Sequence, residues 1–263
     1  MKYTNKIIWI TGASSGIGEA LAYEFAKEKA ILILSARRLD ELERVKKNCD
    51  ANTESTIVQL DLTDATSIQK AAQTVKAKFG SVYMLINNGG ISQRGLTKET
   101  ALDVDRRIME INFFGAVSLT KEVLPWMVEK QEGHIVAISS VTGKFGFPLR
   151  SAYAASKHAL AGFYESLYAE GKADNINVSI VYPGRIKTNI SYHALDGSGT
   201  EHGKMDEGQE KGMPADACAK KIIRKLKKKR VDILVGNKEL IMVHIKRLFP
   251  SVFYKLVTKV SAT

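Results

Sequence analysis

The chain has 263 residues, of which 44% are hydrophobic and 25% charged, so its composition is that of an ordinary globular protein and not of a disordered, fibrous or membrane-spanning chain. The formal net charge is +11, and all of the excess lies after residue 218: residues 219–263 hold 13 Lys and Arg against 2 acidic residues, whereas residues 1–218 hold 26 of each sign. Two distant cysteines and five scattered histidines lack metal-ligand spacing, which predicts reduced thiols and no metal site.

The first residues of the chain and the length of its apolar runs indicate where in the cell the protein is expected. Met1–Lys6 leads directly into an apolar segment, without the hydrophobic region and cleavage site of a secretory signal. No stretch reaches the roughly 18 uninterrupted apolar residues of a membrane span. We therefore expect a cytoplasmic protein.

Short apolar runs, rich in Ile, Val and Leu, alternate with helical patterns along the chain. The predicted strands are Ile7–Ile10, Ile31–Leu34, Thr56–Leu60, Val82–Ile86, His134–Ser139, Val178–Tyr182 and Val231–Val235. The helical patterns between them include Glu19–Lys29, Leu39–Cys49, Ser67–Phe79 and Ala154–Lys172. Strands that are apolar throughout are typical of a sheet covered on both faces. The alternation predicts an α/β fold in one domain, 1–236, with a doubly wound parallel sheet of seven strands and helices on both faces.

A glycine-rich loop follows the first strand at once and opens the first helix. It reads Thr-Gly-Ala-Ser-Ser-Gly-Ile-Gly over residues 11–18. Glycines allow backbone N–H groups to approach a pyrophosphate, and the helix N-terminus favours its negative charge. The loop therefore predicts dinucleotide binding by a Rossmann-type fold. The predicted cofactor contacts here are Gly12, Ser14, Ser15, Gly16, Ile17 and Gly18.

The end of the second strand indicates the type of dinucleotide. An NAD enzyme is expected to have an acidic residue there that binds the ribose 2′-hydroxyl. Here Ala36 occupies that position, and Arg37 and Arg38 follow. Because a guanidinium binds a 2′-phosphate and a carboxylate repels it, these residues predict NADP(H) as the cofactor. The alternative is a solvated arginine pair that opens the next helix.

Tyr153 and Lys157 are spaced so that both lie on one face of a helix. A free tyrosine has a pKa of about 10, and a nearby cation is expected to lower that value. Tyr153 can then act as general acid or general base. Ser140, at the end of the fifth strand and thirteen residues before Tyr153, can hydrogen-bond a substrate oxygen on which charge develops.

Taken together, the loop, the strand order and these spacings resemble the short-chain dehydrogenase/reductase family over about residues 5–236. The resemblance implies that Ser140, Tyr153 and Lys157 are catalytic, that Lys157 also holds the nicotinamide ribose, and that Asn112 supports a water-mediated proton relay. It further implies cofactor contacts outside the glycine loop by Asp61, Leu62, Asn88, Gly89, Gly90, Tyr153, Lys157, Pro183, Gly184, Ile186 and Thr188.

One departure from the family concerns the segment after the fourth strand, which usually reads Asn-Asn-Ala-Gly. Here it reads Asn87-Asn88-Gly89-Gly90, and we expect no loss of activity from the missing methyl group. Two other segments, 36–38 and 139–144, resemble the branch that contains 11-beta-hydroxysteroid dehydrogenase type 1 and dehydrogenase/reductase member 7. That resemblance implies a bulky apolar carbonyl or alcohol substrate.

Residues 237–263 are predicted to form a basic amphipathic helical extension, and about residues 189–213 a loop over the substrate. In the extension, apolar residues are interleaved with Lys246, Arg247, Lys255 and Lys259, downstream of the basic run Lys227–Arg230. Such a segment can contact an anionic membrane, at its inner face for a cytoplasmic protein. Alternatively, its apolar side packs on the core, covers the substrate site or joins a dimer. No nucleic-acid-binding motif accompanies the charge, so we expect no nucleic-acid partner.

The predicted function is reversible, NADP(H)-dependent hydride transfer between nicotinamide and a small-molecule carbonyl or alcohol. The family resemblance implies a homodimer or homotetramer. Two alternatives are a non-catalytic NADP sensor on the same fold and an extended-branch epimerase or dehydratase, which also uses Tyr and Lys at this spacing. The intact Ser140, Tyr153 and Lys157 disfavour the sensor. The wide glycine spacing disfavours the epimerase or dehydratase.

Overall fold

A computed structural model describes residues 2–259, which form one seven-stranded parallel sheet and a separate strand pair. The strands are β1 (Ile7–Thr11), β2 (Ile31–Ser35), β3 (Ser55–Ile57), β4 (Met84–Asn87), β5 (Gly133–Ile138), β6 (Ile176–Pro183), β7 (Ile186–Lys187), β8 (Met213–Pro214) and β9 (Asp232–Val235). The order in the sheet is β3-β2-β1-β4-β5-β6-β9, and β7 pairs with β8 outside it.

The α-helices of the described residues lie between and after these strands. They are α1 (Gly16–Lys27), α2 (Leu39–Asn48), α3 (Ala65–Phe79), α4 (Leu102–Met109), α5 (Gly115–Lys130), α6 (Ser151–Glu170), α7 (Glu207–Glu210), α8 (Ala215–Leu226), α9 (Ile241–Leu248) and α10 (Pro250–Val257). Short 3₁₀ turns occur at Thr97–Glu99, Val141–Gly143 and Lys238–Leu240, and Glu110–Phe114 is a π-helical segment between α4 and α5.

Alternate residues along the strands pack into two hydrophobic cores, one on each face of the sheet. Ile8 and Ile10 pack against α1, α2 and α8, whereas Trp9 packs with residues of α3, α5 and α6. Both faces of the strands are therefore covered, as their unbroken apolar sequences indicate. This confirms the predicted doubly wound sheet with helices on both faces.

The strand order fixes where a ligand can bind. Successive strands run outward from β1 in one direction, and from β4 in the other. At this switch point the connections leave to opposite sides, which opens a crevice at the carboxyl ends of β1 and β4. The glycine loop, between β1 and α1, lies at this edge.

The C-terminal extension consists of two short helices, with Pro250 as the first residue of α10. One side of the pair packs on the domain: Phe253 is 2% exposed, and its ring centroid lies 5.3 Å from that of Phe145. The other side leaves large apolar side chains exposed. Residues 260–263 of the predicted extension, which include Val260, lie outside the described residues.

No helix among residues 2–259 is both long enough and apolar enough to cross a bilayer. Over the same residues, no group of His, Cys, Asp or Glu side chains is placed to hold a metal ion.

Candidate active site

One cleft of about 920 Å³ opens at the carboxyl edge of the sheet. It brings together the predicted residues Gly12, Ser14, Ser15, Gly16, Ile17, Arg37, Arg38, Asp61, Leu62, Asn88, Gly89, Gly90, Ser140, Tyr153, Lys157, Pro183, Gly184, Ile186 and Thr188. Gly18 and Asn112 do not line this cleft and lie behind its wall.

The glycine loop leaves a groove without side chains between β1 and α1. Gly12 and Gly16 have φ values of +61° and +60°, a conformation that L side chains rarely adopt. At Gly18 an added Cβ would lie 2.2 Å from the Gly12 carbonyl oxygen. Gly18 therefore allows the helix to approach the loop, while Gly12 and Gly16 shape the surface that fits a pyrophosphate.

Thr11 and Asn88 hold this loop against the segment after β4. The Thr11 hydroxyl accepts hydrogen bonds from the backbone N–H groups of Asn88 and Gly89, both at 3.0 Å. The Asn88 side-chain amide donates to the carbonyls of Thr11 and Gly12 at 3.0 and 3.1 Å. The side chain of Asn88 thus supports the loop from behind. At Gly89, an added Cβ would lie 2.5 Å from Leu62 Cδ1, so the residue that departs from the family pattern makes room for that side chain.

The far end of the cleft is formed by the end of β2 and the segment after β3. Arg37 and Arg38 are exposed there, and neither forms an ion pair with a carboxylate of the described residues. Asp61 accepts hydrogen bonds from the backbone and hydroxyl of Thr63, which keeps its carboxylate engaged within its own turn. Two guanidiniums without acidic partners suit an anionic group of a dinucleotide.

Ser140, Tyr153 and Lys157 meet at the other end of the cleft. Ser140 follows β5, and its hydroxyl accepts from the Thr142 N–H at 3.2 Å. Tyr153 and Lys157 are one turn apart on α6, and both are buried. The Lys157 ammonium donates to the Ile138 carbonyl at 2.9 Å and lies 5.7 Å from the Tyr153 ring centroid.

The pKa of Tyr153 is raised, because burial outweighs the groups that stabilise its charged form. Those groups are the Ser140 hydroxyl and the guanidiniums of Arg94 and Arg150. The expectation that Lys157 lowers the pKa of Tyr153 below its usual value is therefore wrong for this structure. Burial also lowers the pKa of Lys157, to about 8. Tyr153 is accordingly protonated at neutral pH, the form that a general acid requires.

Asn112 lies in the π-helical segment, where the regular helix is interrupted. Its side chain accepts from the Ile91 N–H at 2.8 Å and donates to the Ile91 carbonyl and the Ser156 hydroxyl, both at 3.0 Å. It therefore ties the segment after β4 to α6. The Asn112 side chain does not line the cleft. Its role in a proton relay stays a prediction.

Several residues that bear on the site were missed by the sequence analysis. The Gln93 side chain is fully buried and accepts from the N–H groups of Ala152 and Tyr153, at 2.9 and 3.3 Å, so it caps the catalytic helix. Arg94, Arg150 and Asp206 form a buried ion cluster in the same cleft. A polar Ser-Gln-Arg run, five residues after the end of a strand at the switch point, was the one signal in the sequence for Gln93 and Arg94.

The C-terminal extension also contributes to the cleft. The Glu239 carboxylate accepts from the backbone N–H groups of Arg185 and Asn237, at 2.9 and 3.1 Å. An added Cβ at Gly184 would lie 2.1 Å from Glu239 Oε1. Lys238 and Met242 line the cleft beside it. The extension therefore holds the chain at and just after the end of β6, where the predicted cofactor contacts Pro183 and Gly184 lie.

Comparison with known proteins agrees with this geometry. The family described as short chain dehydrogenase matches residues 6–197. Dehydrogenase/reductase SDR family protein 7-like of Drosophila melanogaster is 46% identical over 97% of this chain and 80% of that protein. Human dehydrogenase/reductase SDR family member 7 is 40% identical over 91% of this chain and 73% of that protein. These relatives confirm the predicted likeness to the branch of dehydrogenase/reductase member 7.

Solved structures agree in fold. A short-chain dehydrogenase from Streptomyces avermitilis has a TM-score of 0.83 and 28% identity, covering 98% of this chain and 100% of that one. A short-chain dehydrogenase/reductase from Burkholderia phymatum, solved in complex with NAD, has a TM-score of 0.84 at 23% identity over 96% of each chain. The site and the matched family identify an NAD(P)-dependent oxidoreductase. The chain belongs to the short-chain dehydrogenase/reductase family.

Proposed function

We propose that this protein is an NADP(H)-dependent oxidoreductase that interconverts a carbonyl and a secondary alcohol, with a bulky, largely apolar substrate. The observation that carries the proposal is the meeting of Ser140, Tyr153 and Lys157 in the same cleft as the glycine loop and Arg37. The substrate end of that cleft includes Phe145 and Phe147, which suit an apolar body.

A nicotinamide cofactor supplies or accepts the hydride when it is bound. The Tyr153 hydroxyl donates a proton to the substrate oxygen in reduction and recovers it in oxidation. The Ser140 hydroxyl hydrogen-bonds the same oxygen and stabilises the charge that develops on it. Lys157, whose ammonium is anchored by the Ile138 carbonyl, holds the ribose and keeps a positive charge beside the phenol.

The preference for NADP(H) rests on Arg37, which lines the cleft, is exposed and has no carboxylate partner among residues 2–259. Arg37→Asp removes a partner of the 2′-phosphate and places a like charge there. We expect the ratio of kcat/KM for NADPH to that for NADH to fall by about 10- to 100-fold or more, the effect of one or two charge-assisted hydrogen bonds. Steady-state kinetics with both cofactors measures the ratio.

Lys47→Asp is the matched control for that variant, because it makes the same charge change on an exposed position of α2 that does not line the cleft. We expect it to leave the ratio within about twofold of the wild type, since Lys47 does not line the cleft and solvent and salt screen exposed charges. A wild-type enzyme that prefers NADH would show that the interpretation of Arg37 is wrong.

Two rival functions make different predictions for the same cofactor experiment. A non-catalytic NADP sensor would bind NADPH and oxidise none of it with any ketone. An epimerase or dehydratase would convert its substrate without net consumption of NADPH. Net NADPH oxidation that depends on an added ketone distinguishes the proposed function from both.

We also propose that the C-terminal extension brings the enzyme to anionic membrane surfaces. The exposed side of α9 and α10 includes Leu248 and Phe249, which are 65% and 60% exposed. The tail carries five basic residues and Glu239 after residue 237, a net charge of 5 − 1 = +4. Apolar burial and charge together favour binding to an anionic surface. The basic run Lys227–Arg230 precedes β9 and so lies at the opposite edge of the sheet from α9.

Point substitutions test the membrane proposal better than truncation, because removal of the tail also removes Glu239 and Phe253 from their contacts. We expect the wild type to bind vesicles that contain phosphatidylserine and to bind neutral vesicles poorly. Each basic residue near the surface contributes about 1 kcal/mol, so binding weakens as salt rises. The double substitution of Leu248 and Phe249 by serine should reduce vesicle cosedimentation at least about fivefold by removing apolar burial.

The matched control is Leu102→Ser, because Leu102 is 60% exposed on α4 and lies outside the tail. Equal loss of cosedimentation in this control, or no binding of wild type to anionic vesicles, would contradict the membrane proposal. In that case the exposed side of the tail has another use, such as the interface between subunits. We propose that the protein assembles as a homodimer or homotetramer. The two unpaired, buried cysteines favour a cytoplasmic location.

A further inference from the structure

Three charged side chains meet on the substrate side of the cleft, away from the glycine loop. Arg94 follows β4, Arg150 precedes α6, and Asp206 lies in the substrate loop. The Arg94 guanidinium donates to Asp206 Oδ2 from Nε at 2.8 Å and also from Nη2, and Arg150 Nη2 donates to the same oxygen at 3.2 Å. The side chains of Arg94, Arg150 and Asp206 are 3%, 13% and 2% exposed.

The charges in this cluster do not balance. The remaining Arg94 nitrogen, Nη1, donates to the Ser92 hydroxyl and the Gln93 carbonyl, so Arg94 is fully engaged. Arg150 Nη1 is buried and has no hydrogen-bond partner among residues 2–259. Burial and the neighbouring Arg94 lower the pKa of Arg150 to about 10, which leaves it protonated at neutral pH. Two cations therefore share one carboxylate in a buried position.

Other charged groups around the cluster do not supply the missing negative charge. Glu201 lies within 3.3 Å of His193, and Glu239 accepts from two backbone N–H groups. Arg185 adds positive charge near Arg150, and His202 lies 3.7 Å from the second Asp206 oxygen. A buried cation that shares its only counter-charge with a second cation is incompletely neutralised, and an anion that reaches it gains a strong, charge-assisted hydrogen bond.

The position of the cluster relates it to the reacting atoms. The guanidiniums of Arg94 and Arg150 lie close enough to Tyr153 to stabilise its charged form. Phe147 lies beneath the Arg150 guanidinium, at 5.4 Å from ring centroid to Cζ, and Phe145 and Met242 line the same part of the cleft. An apolar surface therefore adjoins the unpaired guanidinium nitrogen.

We propose that Arg150 binds an anionic group, a carboxylate or a phosphate, carried by the carbonyl substrate beside an apolar chain. Arg94 and Asp206 are positioning residues in this proposal, since they hold Arg150 through the shared carboxylate. The inference deepens the proposed function and rests on it only for the reaction. It specifies that the bulky apolar substrate also carries an anionic group and is therefore amphipathic.

Binding of unreactive chain molecules to the NADP⁺ complex tests the proposal without turnover. Hexanoate is compared with hexanamide, and hexyl phosphate with hexanol, by calorimetric titration at pH 7. We expect at least one anion to bind at least tenfold more tightly than its neutral counterpart, and the better anion identifies the group as carboxylate or phosphate. Wild-type protein that binds neither anion more tightly than its neutral counterpart overturns the proposal.

Arg150→Gln removes the charge while retaining an amide that can donate to Asp206. We expect it to reduce the preference for the anion to less than about twofold, and Arg150→Lys to retain part of it. Arg107→Gln is the matched control, because Arg107 is an exposed arginine at the same cleft. If Arg107→Gln abolishes the preference and Arg150→Gln does not, the anion binds elsewhere and the assignment to Arg150 is wrong. Circular dichroism and NADP⁺ affinity establish that each variant is folded.

Kinetics with a keto acid and its methyl ester separates this inference from the proposed function. Reduction of methyl 5-oxohexanoate with no preference for the 5-oxohexanoate anion, together with equal binding of anion and neutral chain, contradicts the anion site and leaves the oxidoreductase intact. Anion binding that depends on Arg150, in an enzyme that reduces no ketone with NADPH, contradicts the proposed reaction and supports the site.

Discussion

Tyr153→Phe is expected to lower kcat for NADPH-dependent ketone reduction by about 10²- to 10⁴-fold, the usual contribution of a positioned general acid. The substitution removes the hydroxyl that donates the proton and leaves the ring in its buried position on α6. Because the pKa of Tyr153 is raised by burial, this hydroxyl is protonated throughout the neutral range.

The control for Tyr153→Phe is cofactor affinity. The substitution removes one hydroxyl and leaves the ring that lines the cleft, so the Kd for NADPH, followed by its fluorescence, should change by less than about threefold. A variant that retains most of the wild-type kcat would remove Tyr153 from the chemistry. A variant that loses NADPH binding as well would show a structural role in its place.

Lys157→Met is expected to abolish most activity and to weaken NADPH binding, because the ammonium is assigned both to the ribose and to the charge beside Tyr153. Methionine fills nearly the same volume, which avoids the cavity that alanine would leave. We expect kcat to fall by at least about 10²-fold and NADPH affinity by about tenfold, the effect of one charge-assisted hydrogen bond. Normal values of both would exclude these roles.

The same variant has a second expected effect, on the free energy of unfolding. Burial lowers the pKa of Lys157 from 10.5 to about 8 in the folded protein, so the unfolded chain binds the proton more tightly. The buried ammonium therefore costs about 3 kcal/mol of stability below pH 8. That cost is relieved as pH rises from 8 to 10.5, and it is absent from Lys157→Met.

Thermal unfolding of wild type and Lys157→Met at pH 7 and at pH 10 measures this effect. The wild type should gain stability relative to the variant as the pH rises, by up to about 3 kcal/mol over the full interval. The variant also loses the donor to the Ile138 carbonyl, but that loss lowers the free energy of unfolding equally at the two pH values. If the difference in the free energy of unfolding between the two proteins stays constant with pH, burial does not lower the pKa of Lys157.

Much of the fold could be predicted from the sequence, because the strands are short runs that are apolar on both faces. All seven predicted strands of the sheet are present, although β3 is limited to Ser55–Ile57 and does not extend to Leu60. The glycine loop and the spacing from Ser140 to Tyr153 and Lys157 were also visible, because each lies within one strand–turn–helix unit or one helix turn. Spacing within one such local unit can be read directly from the sequence.

The parts that could not be predicted depend on contacts between distant segments. Arg94 and Asp206 are 112 residues apart, and no local pattern pairs them. Gln93 caps α6 from a loop 59 residues earlier in the chain. The raised pKa of Tyr153 likewise arises from burial, which spacing alone does not report. The contact of Glu239 with the segment after β6 was also not predicted, because the composition of the tail indicates only that it is basic and apolar.

The most direct test of the central claim is the fate of the hydride. With NADPH deuterated at C4 of the nicotinamide, and a ketone that the wild type reduces, the product alcohol should carry deuterium at the carbinol carbon, from one of the two C4 epimers only. Tyr153→Phe, with NADPH bound, should yield almost none. NADPH oxidation that leaves no deuterium in the alcohol with either C4 epimer, or equal transfer by Tyr153→Phe, would contradict the proposed reaction.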